Sequence, residues 1–208
     1  YSTGENTDIA TLYDKNESEE TATIKKELGV VIPFTETPIQ ESIGENMYIN
    51  MIRRANRYIY ITSPYLIITW EMEKALISAA KSGVDVRIIT PHIPDKKYVH
   101  LLTRSFYKNL VENGVKIYEF EKGFIHAKNC ICDDEFVVIG SINLDYRSLY
   151  LHFECAVWTY GAPIITDVKE DFENTLKQSL KITPEWVKSR NLLTRILQSL
   201  LRLFAPLM

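Results

Sequence analysis

Four polar residues of the chain have types and spacings suited to attack on an anionic substrate. His126 and Lys128 lie two residues apart in a segment whose pattern predicts a β-strand, so their side chains are expected to share one face. A neutral imidazole can act as a nucleophile, and an adjacent ammonium offsets the charge by which a phosphate would repel it. Ser141 and Asn143 follow on a second predicted strand and offer a hydroxyl and an amide to phosphate oxygens.

A histidine nucleophile also needs a group that holds its second ring nitrogen. Glu154 lies in an otherwise apolar predicted strand, where an unpaired carboxylate would be costly. Pairing with His126 would offset that cost, so Glu154 is the candidate for orienting the ring. Gly140 precedes Ser141 and permits close approach of a substrate or of a second backbone. Each of these residues alone is more often structural than catalytic, so the hypothesis depends on their combination.

The elements that must position these residues alternate between strands and helices. Strands are predicted at 29–34, 57–65, 84–90 and 115–120, with helices at 45–55, 71–83 and 97–114. This alternation predicts an α/β fold with a mixed, largely parallel sheet and helices on both faces. From residue 124 the pattern changes to a hairpin with an acidic turn at 133–135, a strand at 153–161 and a helix at 163–180.

Charge divides the chain into two parts. Residues 1–28 hold seven acidic residues and three lysines, and we interpret them as an acidic linker or lead-in. Residues 29–208 then form one predicted catalytic domain with a net charge near zero. The formal net charge of the chain is −3, which argues weakly against a general nucleic-acid binder.

Cysteine usage and hydropathy narrow the class of protein further. Cys130, Cys132 and Cys155 form an odd set without zinc spacing, which indicates small buried side chains in a reducing compartment. No run of 18 apolar residues occurs, so we expect no transmembrane helix and a soluble chain. The chain begins at Tyr1 without a methionine, and we interpret it as part of a longer protein whose remainder could carry a membrane anchor.

The candidate residues together form one string: His-x-Lys, four residues, Asp133, six residues, then Gly-Ser-x-Asn. This string resembles the signature of the phospholipase D superfamily. The resemblance implies that His126 forms a phosphohistidine and that Lys128 and Asn143 bind phosphate with help from Ser141. Asp133 belongs to the catalytic signature, where the resemblance implies a mainly structural role. The spacing of Glu154 is similar to that of the family's histidine-orienting acid, and no metal or cofactor is implied.

The flanking sequences resemble the C-terminal catalytic half of bacterial cardiolipin synthases. The resemblance extends from about residue 29 to 208 and is most specific over 57–160, including "TSPYL", "GFIHAK" and "GSINLDYRSLYLHFE". It implies phosphatidyl transfer between two phosphatidylglycerol molecules, giving cardiolipin and glycerol, by an enzyme whose catalytic domain is peripheral to the cell membrane. Such synthases carry two copies of the signature and this chain carries one. An N-terminal half or a second copy of the chain is therefore expected to complete the site.

Two other classes of function remain open. The first is a homodimeric phospholipase D-like phosphodiesterase or nuclease, against which the near-zero charge of residues 29–208 and the lipid-synthase flanks argue. No nucleic-acid partner is expected for that reason. The second is a non-enzymatic half that only completes a partner, against which the intact signature argues.

Three further features each have two interpretations. Arg147 either contacts a headgroup phosphate or forms a structural ion pair. Tyr65 either lines the substrate pocket or packs against the core. Residues 190–204 form a predicted amphipathic helix, which either lies in an anionic membrane surface or packs against the core or a missing half.

Overall fold

An eight-stranded sheet organises the protein. The computed structural model describes residues 29–38 and 42–207, so the predicted acidic linker at 1–28 lies outside the described residues. The strands of the main sheet run in the order β1-β9-β7-β6-β2-β4-β5-β10, and β3 and β8 form a separate parallel pair. Their bounds are β1 Val30–Glu36, β2 Tyr58–Thr62, β3 Leu66–Ile67, β4 Asp85–Pro91, β5 Lys116–Phe120, β6 Asn129–Cys132, β7 Phe136–Gly140, β8 Leu144–Asp145, β9 Glu154–Tyr160 and β10 Ser179–Ile182.

The strand directions confirm a mixed sheet, but most of its strand pairs are antiparallel and the prediction was a largely parallel sheet. Only β2, β4 and β5 pair in parallel, and the other five pairs of the main sheet are antiparallel in the part of the chain that the structure describes. Parallel neighbours need a long crossover, whereas antiparallel neighbours can be joined by a tight turn. The turn between β6 and β7 is of this kind, and Asp133 and Asp134 occupy it with φ values of 55° and 62°.

Helices cover both faces of the sheet, as predicted. One face carries helices α1, α2 and α3 over a core that includes Ile59, Ile61 and Ile88. The other face carries α4, whose Phe172 stacks on Tyr60 with ring centroids 4.8 Å apart. The helices are α1 Ile43–Arg54, α2 Trp70–Lys81, α3 Lys97–Glu112, α4 Ile164–Leu176, α5 Pro184–Lys188 and α6 Leu192–Arg202, with a π-helical turn at Arg147–Leu151 and a 3₁₀ turn at Ala205–Leu207.

The strand directions bring the candidate catalytic residues to one edge of the sheet. The carboxyl ends of β2, β4, β5 and β7 and the amino ends of β6 and β9 all lie there. Across the described residues, no helix is both long enough and apolar enough to cross a membrane.

The segment with His126 and Lys128 differs from its prediction as a strand. Both residues precede β6, which begins at Asn129. The reason lies in the neighbouring strand, because β2 ends at Thr62 and Thr62 pairs with Asn129. The backbone before Asn129 therefore has no strand to pair with on that side.

Candidate active site

His126 lies exposed at the sheet edge, with Lys128 buried beside it. Lys128 is only 8% exposed, and its Nζ donates a hydrogen bond of 2.7 Å to the His126 carbonyl oxygen. Partial burial and the charge of Lys128 hold the pKa of His126 below its ordinary value, against a smaller opposing effect from Asp95. The shift favours the neutral imidazole, which is the form that can attack phosphorus.

The charge of Lys128 is balanced by acids on the neighbouring elements. Burial lowers the pKa of its ammonium, while Glu154 and Asp145 favour the charged form. The ammonium has three N–H donors, and one of them is used by the His126 carbonyl. Lys128 can therefore donate to a bound phosphate while it holds the backbone of His126.

Gly140 is required by the approach of a second backbone, which is one of the two reasons expected for it. A Cβ atom there would lie 2.3 Å from the Cys155 carbonyl oxygen. Because β7 and β9 meet so closely, the next residue reaches across, and the Ser141 N–H donates to the Cys155 oxygen at 2.8 Å. The Ser141 hydroxyl then donates to Glu154 Oε2 at 2.5 Å.

Glu154 gathers the hydroxyl and amide of the signature into one cluster. The hydroxyl of Ser148 donates to Glu154 Oε1 at 3.1 Å, and Asn143 Nδ2 donates to the Ser148 oxygen at 2.9 Å. The Oδ1 atom of Asn143 is buried and has no hydrogen-bond partner within the described residues. Ser141 and Asn143 thus meet at the same carboxylate, one directly and one through Ser148.

The predicted pairing of Glu154 with His126 does not occur in this structure. Within residues 29–38 and 42–207, no hydrogen bond or ion pair joins the two side chains, and the histidine near Glu154 is His152, whose Nδ1 lies 3.6 Å from Oε1. Glu154 nevertheless lies close enough to Lys128 to favour its charge. Orientation of His126 by Glu154 stays a prediction.

Arg147 and Tyr65 each have a contact that bears on their two interpretations. Arg147 Nε donates to His152 Nε2 at 2.6 Å, and the other ring nitrogen of His152 lies 3.6 Å from Glu154 Oε1, so both interpretations of Arg147 stay predictions. For Tyr65, the structure supports the packing interpretation, and a place in the substrate pocket stays a prediction. It packs against the core, and its ring lies 6.5 Å from that of Phe124, which is 5.6 Å from the ring of His126.

Several residues of the site were missed by sequence reasoning. Phe124 and Asp95 lie near His126, and the Tyr65 hydroxyl donates to Asp95 Oδ2 at 2.5 Å. Asp145 accepts from the Ser148 N–H at 2.7 Å, and its burial raises its pKa. The Asp145–Ser148 contact has the three-residue spacing of a helix cap, which was the available signal. No comparable pattern marks Phe124 or Asp95, because only the fold brings them to the site.

Asp133 lies at the far end of β6 from Lys128. Its carboxylate accepts from the backbone N–H groups of Asn56, Arg57 and Tyr58 at 2.7, 2.9 and 2.8 Å. These bonds hold the connection between α1 and β2. These contacts fit the mainly structural role that the resemblance implied for Asp133, and its place among the catalytic residues stays a prediction.

The chain is similar to known proteins in its sequence. Residues 48–176 match the family described as cardiolipin synthase, PLD-like domain. A cardiolipin synthase of Halalkalibacterium halodurans is 40% identical over 166 residues, which cover 80% of this chain and 33% of that protein. The chain thus spans about a third of the length of this relative.

Solved structures show the same fold at low sequence identity. Phosphatidylserine synthase of Haemophilus influenzae has a TM-score of 0.65 at 16% identity, covering 85% of this chain and 45% of that one. The phospholipase D family member Nuc of Salmonella typhimurium has a TM-score of 0.64 at 20% identity, covering 74% of this chain and 98% of that one. Because the family match extends over more than half of the chain, the protein belongs to the cardiolipin synthase family of phospholipase D-like domains.

Proposed function

We propose that this chain is the catalytic half of a phosphatidyltransferase that converts two phosphatidylglycerol molecules into cardiolipin and glycerol. The observation that carries the proposal is an exposed imidazole at His126 beside the buried Lys128, whose ammonium donates to the His126 carbonyl oxygen. The family match and the 40% identical cardiolipin synthase support this choice of reaction.

The reaction runs in two half-steps through a covalent intermediate. A ring nitrogen of His126 attacks the phosphorus of the first lipid, so an N–P bond forms and the P–O bond to glycerol breaks. A second imidazole gives its proton to the departing glycerol oxygen. That imidazole then takes a proton from a hydroxyl of the second phosphatidylglycerol. The resulting oxygen attacks phosphorus, the N–P bond breaks, and cardiolipin leaves.

Residues around His126 supply the charge that each half-step needs. Lys128 and the amide of Asn143 donate to the phosphoryl oxygens, where negative charge grows as the new bond forms. The hydroxyl of Ser141 assists them. Glu154 orients the imidazole of His126 and balances the positive charge that the ring gains as the N–P bond forms.

The second imidazole comes from another polypeptide segment. The chain has one His-x-Lys string, so the partner histidine belongs to an N-terminal half of the longer enzyme or to a second copy of this chain. The exposure of His126 at the sheet edge leaves it open to such a partner. The assembled enzyme acts on lipid at the cell membrane, with this domain peripheral to the bilayer.

Product analysis in mixed micelles tests the proposal. The chain is incubated with phosphatidylglycerol, alone and together with the N-terminal half of a related synthase. We expect equal amounts of cardiolipin and glycerol in at least one arm, and none with His126→Ala. The matched control is His92→Gln, which changes a histidine at the same sheet edge outside the signature and should keep the product.

Two results would contradict the transferase. If His126→Ala formed as much cardiolipin as the parent, a phosphohistidine intermediate at residue 126 would be excluded. Release of phosphatidic acid in place of cardiolipin would instead favour the homodimeric phosphodiesterase.

A further inference from the structure

The last helix, α6, turns its apolar face to solvent. The large apolar side chains from residue 192 to residue 204 are 48% to 78% exposed, apart from the half-buried Leu201. They are Leu192, Leu193, Ile196, Leu197, Leu200, Leu203 and Phe204. No residue of α6 itself is buried.

The polar face of α6 contacts the rest of the domain. Gln198 Nε2 donates to the Leu101 carbonyl oxygen of α3 at 3.3 Å. The Arg202 guanidinium lies 3.3 Å from a Glu73 oxygen and 4.2 Å from the ring centre of Phe106. A helix that served only to complete the core would face the other way, because apolar burial is what usually holds an amphipathic helix in place. An exposed apolar stripe of this size marks an interaction surface.

A basic cleft of about 350 Å³ lies between α3, α5 and α6, next to this stripe. Five of its lining residues are cationic and one, Glu112, is acidic. The chain from Trp186 to residue 208 contains no acidic residue at all. The cations are Arg104, Lys108, Arg190, Arg195 and Arg202.

Length limits how α6 can meet an apolar phase. Its 11 residues extend for about 16 Å, roughly half the thickness of the hydrocarbon core of a bilayer. A helix of this length with one apolar face and flanking cations lies in the interface and does not span it.

We infer that α6 docks the protein on an anionic lipid bilayer, with its leucines among the acyl chains and the exposed cleft residues Lys108 and Arg195 against headgroup phosphates. Charge complementarity selects this occupant, because a phosphatidylglycerol surface supplies an apolar phase and a layer of negative charge together. The inference deepens the proposed function, since it places the site beside the bilayer that holds the substrate.

Vesicle sedimentation with the 208-residue chain tests the docking. We expect binding to phosphatidylglycerol vesicles that exceeds binding to phosphatidylcholine vesicles and weakens with added salt. The double variant Leu193→Gln/Leu200→Gln should weaken binding at least about tenfold, because two exposed leucines no longer enter the acyl phase. The matched control, Val31→Gln/Leu180→Gln, removes two exposed apolar side chains from strands and should bind like the parent.

A charge variant separates the two contributions. Arg195→Gln should reduce binding to phosphatidylglycerol vesicles about fivefold and leave the weak binding to phosphatidylcholine vesicles unchanged. Circular dichroism confirms that each variant keeps its helices.

Three outcomes would overturn the docking. The first is equal vesicle binding by the parent and the Leu193/Leu200 variant, and the second is no vesicle binding by the parent. The third is a parent dimer that the Leu193/Leu200 substitutions dissociate, with no vesicle binding by the parent or the variant. The last outcome would make the stripe a protein interface. His126→Ala should bind vesicles like the parent, so docking without His126-dependent transfer refutes only the proposed function. Transfer in micelles without vesicle binding refutes only the docking.

Discussion

Two carboxylates at the same edge of the sheet differ in the charge of their hydrogen-bond partners. Glu119, near the end of β5, is fully buried and accepts two hydrogen bonds from Arg104, at 2.7 and 2.6 Å. His92 Nδ1 lies 2.8 Å from it, and the Tyr107 hydroxyl donates at 3.1 Å. Although burial raises the pKa of the Glu119 carboxyl, these bonds hold it below its ordinary value. We call this group of residues the closed cluster.

Glu154, at the start of β9, has neutral partners instead. Its hydrogen bonds within the described residues come from the hydroxyls of Ser141 and Ser148. Its side chain is 12% exposed, and the nearest ring nitrogen, of His152, lies 3.6 Å away. We call this group the open cluster. A buried charge with its own cation is structural, whereas a carboxylate held by neutral donors keeps its charge available to His126 or Lys128.

Removal of the cation from the closed cluster should have the largest effect. Arg104→Met leaves Glu119 buried without its main partner, so we expect the free energy of unfolding to fall by about 3–5 kcal/mol. Urea denaturation measures this value. The matched control is Arg147→Met in the open cluster, whose exposed guanidinium should contribute no more than about 1 kcal/mol. If Arg104→Met lowered the free energy of unfolding as little as the control does, the two clusters would not differ as proposed.

Neutralising the open carboxylate should affect the reaction and leave the fold unchanged. Glu154→Gln can still accept from the hydroxyls, so we expect a change in unfolding free energy within about 1 kcal/mol. Loss of its charge should lower the rate of cardiolipin formation about 100-fold, with the effect in kcat and not in KM. The assay is the micelle reaction described above.

The matched variant for this second test is Glu119→Gln, which should lose stability and, where folded, keep its rate. Equal rates for Glu154→Gln and the parent would remove Glu154 from the reaction.

The smallest expected effect is a pair of opposite pKa changes at His126, followed by NMR titration of its ring. The parent pKa should lie below the ordinary value of about 6.5. Lys128→Met removes a cation that disfavours the imidazolium, so the pKa should rise. Asp95→Asn removes an anion that favours it, so the pKa should fall.

Removal of a charge that is not near His126 should leave the pKa of His126 unchanged. Lys116, which pairs with Asp85 at 2.7 Å, supplies the matched variant Lys116→Met. A shift of His126 as large in this variant as in Lys128→Met would show that the effect is not local.

Periodicity and signature spacing predicted much of the site but not its contacts. The strand that begins at Glu154 was predicted, and the alternation of β2, β4 and β5 with helices identified the parallel part of the sheet. The second predicted strand was also expected to carry Ser141 and Asn143, but β7 ends at Gly140 and both residues follow it. Apart from the predicted hairpin of β6 and β7, the antiparallel pairs were not predicted, because pairing partners depend on long-range contacts between strands. The histidine beside Glu154 proved to be His152, because the close contact of β7 and β9 at Gly140 brings Glu154 to Ser141 instead.

The amino-acid sequence by itself determined which residues are the candidates for the site. Residue types and their spacing along the chain are local properties, and they named His126, Lys128 and the signature around them. The sequence also determined that residues 190–204 are amphipathic. Only the tertiary structure decided which way that helix faces, because both orientations satisfy the same 3.6-residue period. The choice depends on long-range contacts, such as Arg202 with Glu73 across 129 residues, and local patterns do not encode these contacts.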